Sequence, residues 1–248
     1  FHSAEPVVQA LLKHGANPNL ADAERRFPIH YAAERGLLIS AQLLHSAGAD
    51  LNIADAANRF PLTMAAENGH AILCRFLLKN GAVTAGTPET WQAIVLGDAA
   101  RMQKLVQDRN AANEKFQGLP LLTWAIRAGY PAIAMDLLAL GAMPEGQDKH
   151  GSHPLHHAAE RNLVEVADRL FSLKADLNAL NNAGDTPLHL ALRVGRRDMV
   201  NWLLEQGADV NQRAQANMEA PLYAAIRSGA VFTEMVLDYQ PELETVNR

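Results

Sequence analysis

The feature that most constrains this chain is a pattern that recurs roughly every 33 residues along its length. Each copy has a hydrophobic segment that ends at a glycine or asparagine and is followed by a second hydrophobic segment. The residues that end the first segment are Gly36, Gly69, Gly97, Gly129, Asn162, Gly195 and Gly229. Such a period is typical of arrays in which each copy is one supersecondary unit and neighbouring copies stack to bury a shared core.

Two further markers keep the same register. One is a Gly-Ala motif, seen as AGADLN at 47–52 and QGADVN at 206–211, and the other is a proline motif, seen as FPIH at 27–30 and TPLH at 186–189. The order of TPLH, glycine, hydrophobic segment and GADxN resembles the ankyrin repeat. This resemblance implies an all-α solenoid of stacked helix-turn-helix units with short β-hairpin fingers.

The residues of one copy fit that architecture. Met199, Val200, Leu203 and Leu204 form one apolar stripe at helical spacing. Pro187 suits the first turn of a helix, where the N–H that proline lacks would have no partner within the helix. One helix pair cannot bury its own stripe, so we expect stacked neighbours to share a continuous core.

We therefore predict one ankyrin-repeat domain over 1–248. It begins with a partial repeat at 1–21, and the full repeats fall at about 22–54, 55–84, 85–112, 113–147, 148–180, 181–213 and 214–248. The finger near 82–89 is shorter than the others, so the prediction includes one truncated finger. Because the chain starts at Phe1 rather than Met, we expect it to be a fragment of a longer chain.

Composition and motifs argue against several classes of function. The net charge of −5 gives no sign of nucleic-acid binding. No apolar run reaches the roughly 18 residues that a membrane-spanning helix requires. Cys74 is the one cysteine, which excludes an internal disulfide and a thiolate metal cluster. The sequence has no phosphate-loop, dinucleotide-binding or nucleophile-elbow motif, so we expect no catalysis, no cofactor and no direct membrane insertion.

Three histidines recur with the repeat. His30, His156 and His189 occupy the same position of the proline motif in different copies. A residue that recurs in this way belongs to the frame rather than to a catalytic centre, which would be needed only once. The resemblance to ankyrin repeats implies that these histidines make hydrogen bonds that tie one turn to the next.

The densest group of possible metal ligands is the segment HGSHPLHHAAE, which contains His150, His153, His156, His157 and Glu160. A tetrahedral metal site needs ligands that converge on one point. His150 is expected near a finger tip and His156 in the frame, so we expect no metal site here. A pH-sensitive surface is the alternative, since histidine titrates near neutral pH.

The repeat at 85–112 keeps its helical pattern but loses the consensus residues, and two interpretations remain open. It is either a degenerate repeat that only preserves the stack, or a gap in the row of fingers that opens a pocket. In the second interpretation Val95 and Leu96 form an exposed apolar pair close to Trp91 and Trp124 and anchor a partner. The same pair could instead fill the space that the short finger leaves.

The resemblance also implies that partners contact the finger tips and the positions just before the helix-ending residue. In the last repeats those positions carry Arg127, Arg161, Arg193 and Arg227, which we call the arginine row. Arginine binds carboxylates through paired N–H groups, so the row suits an acidic segment of a partner, and a solvated surface is the alternative. The other predicted contact residues are Arg26, Glu34, Arg35, Arg59, Lys149, His150 and Asp185.

These observations predict a non-catalytic, monomeric and cytoplasmic module that binds a protein partner through its concave groove and finger tips. The alternative is the substrate-recruiting segment of a larger enzyme, or of a secreted bacterial effector that acts in the host cytoplasm. The functional step rests on the resemblance, because a fold does not by itself fix a function.

Overall fold

The computed structural model describes residues 4–84, 86–213 and 220–239. Its helices are α1 (Ala4–Lys13), α2 (Pro28–Arg35), α3 (Leu38–Ser46), α4 (Pro61–Glu67), α5 (Ala71–Lys79), α6 (Glu89–Leu96), α7 (Ala99–Leu105), α8 (Arg109–Ala112), α9 (Leu121–Ala128), α10 (Pro131–Ala139), α11 (Pro154–Arg161), α12 (Val164–Ser172), α13 (Pro187–Val194), α14 (Arg197–Glu205), α15 (Pro221–Ser228) and α16 (Ala230–Leu237). The described strands are β1 (Lys115–Phe116) and β2 (Leu119–Pro120), which pair antiparallel.

Each full repeat forms a first helix, a tight turn and a second helix. Proline is the first residue of several first helices, as in α13, where its fixed φ suits the helix start. The first helix ends at a residue in the left-handed conformation, and Asn162 replaces glycine there with φ 58. Gly229 differs, since its φ of 117 and ψ of 168 lie outside that conformation. α16 ends at Leu237.

The helices group into two compact units, Phe1–Leu105 and Val106–Arg248. In the first unit α2 packs on α3 and α4, and α5 packs on α4 and α6. In the second unit the first helices α9, α11, α13 and α15 pack on one another in order, and the second helices α10, α12, α14 and α16 do the same. The single domain over 1–248 stays a prediction, and the boundary between the units falls inside the repeat that loses the consensus residues.

The apolar stripe predicted for one second helix is confirmed. Met199, Val200, Leu203 and Leu204 are all buried in α14. Cys74 is buried in α5, where it packs as a small apolar side chain. Among the described residues, no helix combines the length and the apolarity needed to cross a bilayer.

Most of the described fingers are turns rather than the predicted β-hairpins. The exception is the β1–β2 hairpin in the repeat at 113–147. It follows the short helix α8, which ends at Ala112. α8 was not expected, and its start is stabilised by Asp108, whose carboxylate accepts a hydrogen bond from the Ala111 N–H at 2.8 Å. The short finger is confirmed, since residues 80–88 join α5 to α6 whereas residues 47–60 join α3 to α4.

Asparagine side chains tie four of the finger bases to the next repeat. The side-chain oxygen accepts a backbone N–H of the following repeat, and in three cases the amide nitrogen also donates to a backbone carbonyl there. The N–H donors are Asp50 for Asn19, Val83 for Asn52, Met143 for Asn113 and Asp209 for Asn178, at 2.7–2.9 Å. The carbonyls are those of Gly48, Gly81 and Gly141.

A second set of hydrogen bonds, at the ends of the first helices, links neighbouring repeats in the reverse direction. There a side chain of the later repeat donates to a backbone carbonyl at the end of the preceding first helix. The pairs are His70 with Glu34 at 3.0 Å, Arg196 with Glu160 at 2.9 Å and Ser228 with Leu192 at 2.6 Å. Each of these interfaces therefore joins a side chain to main chain.

Candidate partner-binding surface

A side-chain-supported turn shapes the finger tips. In four of the fingers, one Asp or Asn side-chain oxygen accepts hydrogen bonds from the backbone N–H groups of the residues two and four positions later. The residues are Asp22, Asp55, Asp148 and Asn181, with distances of 2.7–3.0 Å. The turn also needs a left-handed residue, and Arg25 and Asn58 take that role with φ of 55 and 59. The tips are therefore held in fixed positions.

The recurring histidines belong to the frame, as the sequence predicts. The Phe27 N–H donates to His30 Nδ1 at 3.1 Å, and the His153 N–H does the same to His156 Nδ1 at 3.1 Å. Because Nδ1 accepts, the imidazole proton is on Nε2, which donates to a carbonyl of the next finger, Arg59 at 3.2 Å and Asp185 at 3.0 Å. Burial lowers the pKa of His156 to about 4, so this ring is neutral at neutral pH.

Two repeats carry the same finger-to-helix ion pair with the charges exchanged. In the first unit Arg26 Nη2 lies 2.7 Å from Glu34 Oε2, and the guanidinium lies over the Tyr31 ring at 4.2 Å from its centroid. In the second unit Arg193 donates to both carboxylate oxygens of Asp185 at 2.9 and 2.6 Å. The fork of Arg193 is thereby fixed, and a guanidinium has N–H donors beyond these two.

A buried carboxylate connects two neighbouring first helices. Asp148 is almost fully buried, and its Oδ2 lies 3.3 Å from Arg127 Nη1 on α9 and 3.1 Å from His157 Nε2 on α11. Burial alone would raise the pKa of Asp148, but hydrogen bonds from His157 and from the Ser152 N–H outweigh it and hold the pKa well below its usual range. The carboxylate is therefore charged, and Arg127 supports the stack.

The arginine row lies on the consecutive first helices of the second unit. Arg161, Arg193 and Arg227 are exposed, whereas the side chain of Arg127 is 20% exposed. Arg161 lies one position later on its helix than the other three, because Glu160 holds their position. One residue turns by about 100° around a helix, so Arg161 is offset from the line of the others.

A recess lies beside the row, between the ends of α13 and α15. Its volume is about 350 Å³, and its walls are Arg193, Val194, Gly195, Ala224, Arg227 and Ser228. Val194 is 46% exposed at its rim. The recess therefore combines apolar wall atoms with two arginines of the row.

Three residues that the sequence predicts to contact a partner are buried, so their prediction as surface residues is wrong. Trp91 and Val95 are fully buried, because α6 packs against both α5 and α7, and Leu96 is half-buried. The exposed apolar anchor is therefore absent at the degenerate repeat. Asp185 is also buried, because its carboxylate binds Arg193 and its backbone carbonyl accepts from His156.

The remaining predicted contact residues lie at or near the surface. Arg35, Lys149 and His150 are exposed, and Arg59 is half-buried with its Nη2 2.8 Å from Asp55 Oδ2. Their role in partner binding stays a prediction.

The sequence analysis missed two features of this surface, the asparagines at the finger bases and the ion pair of Asp148. The asparagine that ends the Gly-Ala motif marks three of the four asparagines.

Three histidines of the histidine-rich segment each contact a different residue outside it. His156 belongs to the frame, His157 pairs with Asp148, and His153 Nδ1 lies 3.4 Å from Glu145 Oε2. Within residues 4–84, 86–213 and 220–239, no group of three or more His, Cys, Asp or Glu side chains is arranged to hold a metal ion.

Comparison with known proteins decides the family. A family model described as "Ankyrin repeats (3 copies)" matches residues 2–88, 90–181, 122–214 and 168–245. The chain belongs to the ankyrin-repeat family. The matches reach across the degenerate repeat, so the ankyrin architecture implied by the motifs is confirmed for nearly the whole sequence.

The relatives are ankyrin proteins of diverse kinds. The human ankyrin repeat and SOCS box protein 16 is 30% identical over 164 residues, which are 57% of this chain and 36% of that protein. FPV230, an ankyrin repeat protein of Fowlpox virus, is 38% identical over 80 residues, 32% of this chain and 42% of its own. The E3 ubiquitin-protein ligase KEG of Arabidopsis thaliana is 42% identical over 76 residues, 30% of this chain and 5% of its own.

A solved ankyrin structure is similar over a larger share. The crystal structure of the human ASB11 ankyrin repeat domain has a TM-score of 0.48 and 26% sequence identity, and the alignment covers 90% of this chain and 86% of that one. By contrast, the chain spans less than half the length of the curated relatives described above.

Proposed function

We propose that this chain is a non-catalytic module that binds a protein partner, and that its second unit holds an acidic segment of that partner against the arginine row. Ankyrin repeats are general protein–protein interaction modules, which supports the first part. The second part rests on the charge and geometry of the second unit. We place the module in the cytoplasm as a monomer, and its one cysteine is compatible with a reducing compartment.

The observation that carries the proposal is a concentration of cations in a chain whose net charge is −5. The cations lie in the last residues of the first helices and in the turns after them, at 127–130, 160–163, 193–196 and 227–229. These segments contain Arg127, Arg161, Arg193, Arg196 and Arg227, against the one carboxylate of Glu160. Arginines on neighbouring helices attract carboxylates and orient them through paired N–H groups.

The test reverses the charge at two exposed arginines of the row. The variant Arg161→Glu/Arg227→Glu leaves Arg127 and Arg193 in contact with their carboxylates. The matched control is Lys79→Glu/Lys174→Glu, which makes the same change in net charge at exposed positions of α5 and of the loop after α12. Partners are captured from a cell lysate and identified, and the affinity of one purified partner is then measured for each variant.

We expect the arginine variant to bind the purified partner at least about tenfold more weakly, and the parent affinity to fall as salt is raised. The lysine control keeps the parent affinity. Equal affinity of the parent and the arginine variant would assign the arginine row to a solvated surface.

A second candidate is that the chain recruits the substrate of a larger enzyme or secreted effector. It is favoured by the small share of the curated relatives that the chain spans, which is 5% for the Arabidopsis E3 ubiquitin-protein ligase. Its test compares the full-length protein with this chain for covalent modification of the captured partner. Modification of the partner by the full-length protein alone supports the second candidate. If neither protein modifies the partner, the second candidate is contradicted and the binding module remains the proposed function.

A further inference from the structure

The recess between α13 and α15 is lined by a small residue at a position where the other copies carry larger ones. This position lies five residues before the residue that ends the first helix. In the other copies it holds a large side chain, namely Tyr31, Met64, Gln92, Trp124, His157 and Leu190. In α15 the position holds Ala224, which lines the recess of about 350 Å³.

The position accepts a large aliphatic side chain elsewhere in the same unit. Leu190 occupies it one repeat earlier and is only 6% exposed. A side chain of that size therefore fits against the end of a preceding first helix in this fold. Ala224 is smaller and lines the recess, which a side chain from another molecule can occupy.

The walls of the recess define what it can bind. Val194, Gly195 and Ala224 offer apolar contact, and Arg193 and Arg227 offer cationic groups. The Ser228 hydroxyl lies 2.6 Å from the Leu192 carbonyl and 2.9 Å from the Ala224 carbonyl, so its proton is used within the protein. The fork of Arg193 is fixed by Asp185, which lowers the entropy that is lost when a carboxylate binds to it.

We propose that this recess holds one leucine-sized aliphatic side chain of the partner, with acidic residues on either side of it in contact with Arg193 and Arg227. This inference rests on the proposed function and narrows the partner segment to a short acidic peptide with an aliphatic centre. The aliphatic side chain takes the place that Leu190 takes in the preceding repeat. The carboxylates meet the arginines at the rim.

The test fills the recess with the side chain that the chain already uses at this position. Ala224→Leu adds the volume of a leucine at the position equivalent to Leu190. Ala230→Leu is the matched control, since it adds the same volume at the exposed first residue of α16. Urea unfolding of both variants checks that they stay folded.

The probes are three fluorescein-labelled peptides with the cores Glu-Leu-Glu, Glu-Ala-Glu and Gln-Leu-Gln between Gly-Ser flanks. We expect the parent to bind the Glu-Leu-Glu peptide about tenfold more tightly than the Glu-Ala-Glu peptide, the factor that one buried aliphatic side chain supplies. In Ala224→Leu the two affinities become equal, while Ala230→Leu behaves like the parent.

Each outcome bears on one of the two proposals. Equal affinity of the parent for the Leu and Ala peptides, binding of none of the three, or unchanged discrimination in Ala224→Leu overturns the recess proposal. A Gln-Leu-Gln peptide that binds as tightly as the Glu-Leu-Glu peptide contradicts the acidic partner and the carboxylate contacts with Arg193 and Arg227, and it supports only the aliphatic part of the recess proposal. Loss of partner capture in Arg161→Glu/Arg227→Glu with full capture in Ala224→Leu supports the arginine row and contradicts the recess.

Discussion

Burial of one frame histidine makes the second unit sensitive to mild acid. His156 is fully buried, and burial lowers its pKa to about 4 from an ordinary value of 6.5, against the opposing effect of its hydrogen bond to the Asp185 carbonyl. The unfolded chain therefore takes up a proton below about pH 6.5, whereas the folded chain does so only below about pH 4. The stabilisation by neutral His156 is complete above the unfolded pKa and is lost as the pH falls towards 4.

The magnitude follows from the two pKa values. Each pH unit in this window costs about 1.4 kcal/mol of unfolding free energy, so acidification from about pH 7.5 to pH 5 removes about 2 kcal/mol through His156 alone. Carboxylates with ordinary pKa values stay mostly ionised at pH 5. Burial also lowers the pKa of His30, which adds a loss of the same sign in the first unit.

The assay isolates His156 by comparing variants at the two pH values. Urea unfolding is followed by circular dichroism for the parent, for His156→Gln and for the control His150→Gln at the exposed finger tip. The replacement at 156 weakens the fold at both pH values, because two hydrogen bonds of the ring change. The prediction concerns only the difference between the free energies of unfolding at the two pH values. Equal pH-dependent losses in the parent and His156→Gln would refute the reasoning.

Three further changes test the frame by urea unfolding. Asp148→Asn removes the ion pairs of the buried carboxylate but keeps the turn, because Asn181 forms the same turn, so a loss of about 2–3 kcal/mol measures the charge alone. Gly36→Ala places a Cβ 2.6 Å from an imidazole nitrogen, so we expect it to cost at least about 1 kcal/mol more than the unobstructed control Gly48→Ala. Trp91→Ala loses about 3–5 kcal/mol, and a smaller loss would contradict its buried position.

Periodicity in the sequence predicts the helices and the frame. The hydrogen bonds of His30 and His156 are confirmed because they follow from residues that recur at fixed positions. Asn162 marks the end of a first helix in the sequence, and the structure shows it in the left-handed conformation. Local chemistry decides these features, and each copy repeats it. The family then follows from the combined motifs, which is why the family match agrees with the resemblance.

Exposure of single side chains could not be predicted in the same way. Val95 occupies a position that the repeat usually exposes, but the packing of α6 against α5 and α7 buries it. Asp185 is charged and lies in a finger, yet a guanidinium eight residues later covers it. Burial at both positions depends on contacts between elements, and periodicity contains no information about those contacts.

The hydrogen bonds between neighbouring repeats have a consequence for which residues can change. The side chains of Asn19, His30 and Arg196 each donate a hydrogen bond to a backbone carbonyl of a neighbouring repeat. Every residue type has a backbone carbonyl, and every type except proline has the N–H. The residues that receive these bonds can therefore be exchanged without removing the bonds, except for proline where an N–H is needed. The constraint from these bonds therefore falls on the side chains that give them, such as those of Asn19 and His30, and not on the side chains of the residues that receive them.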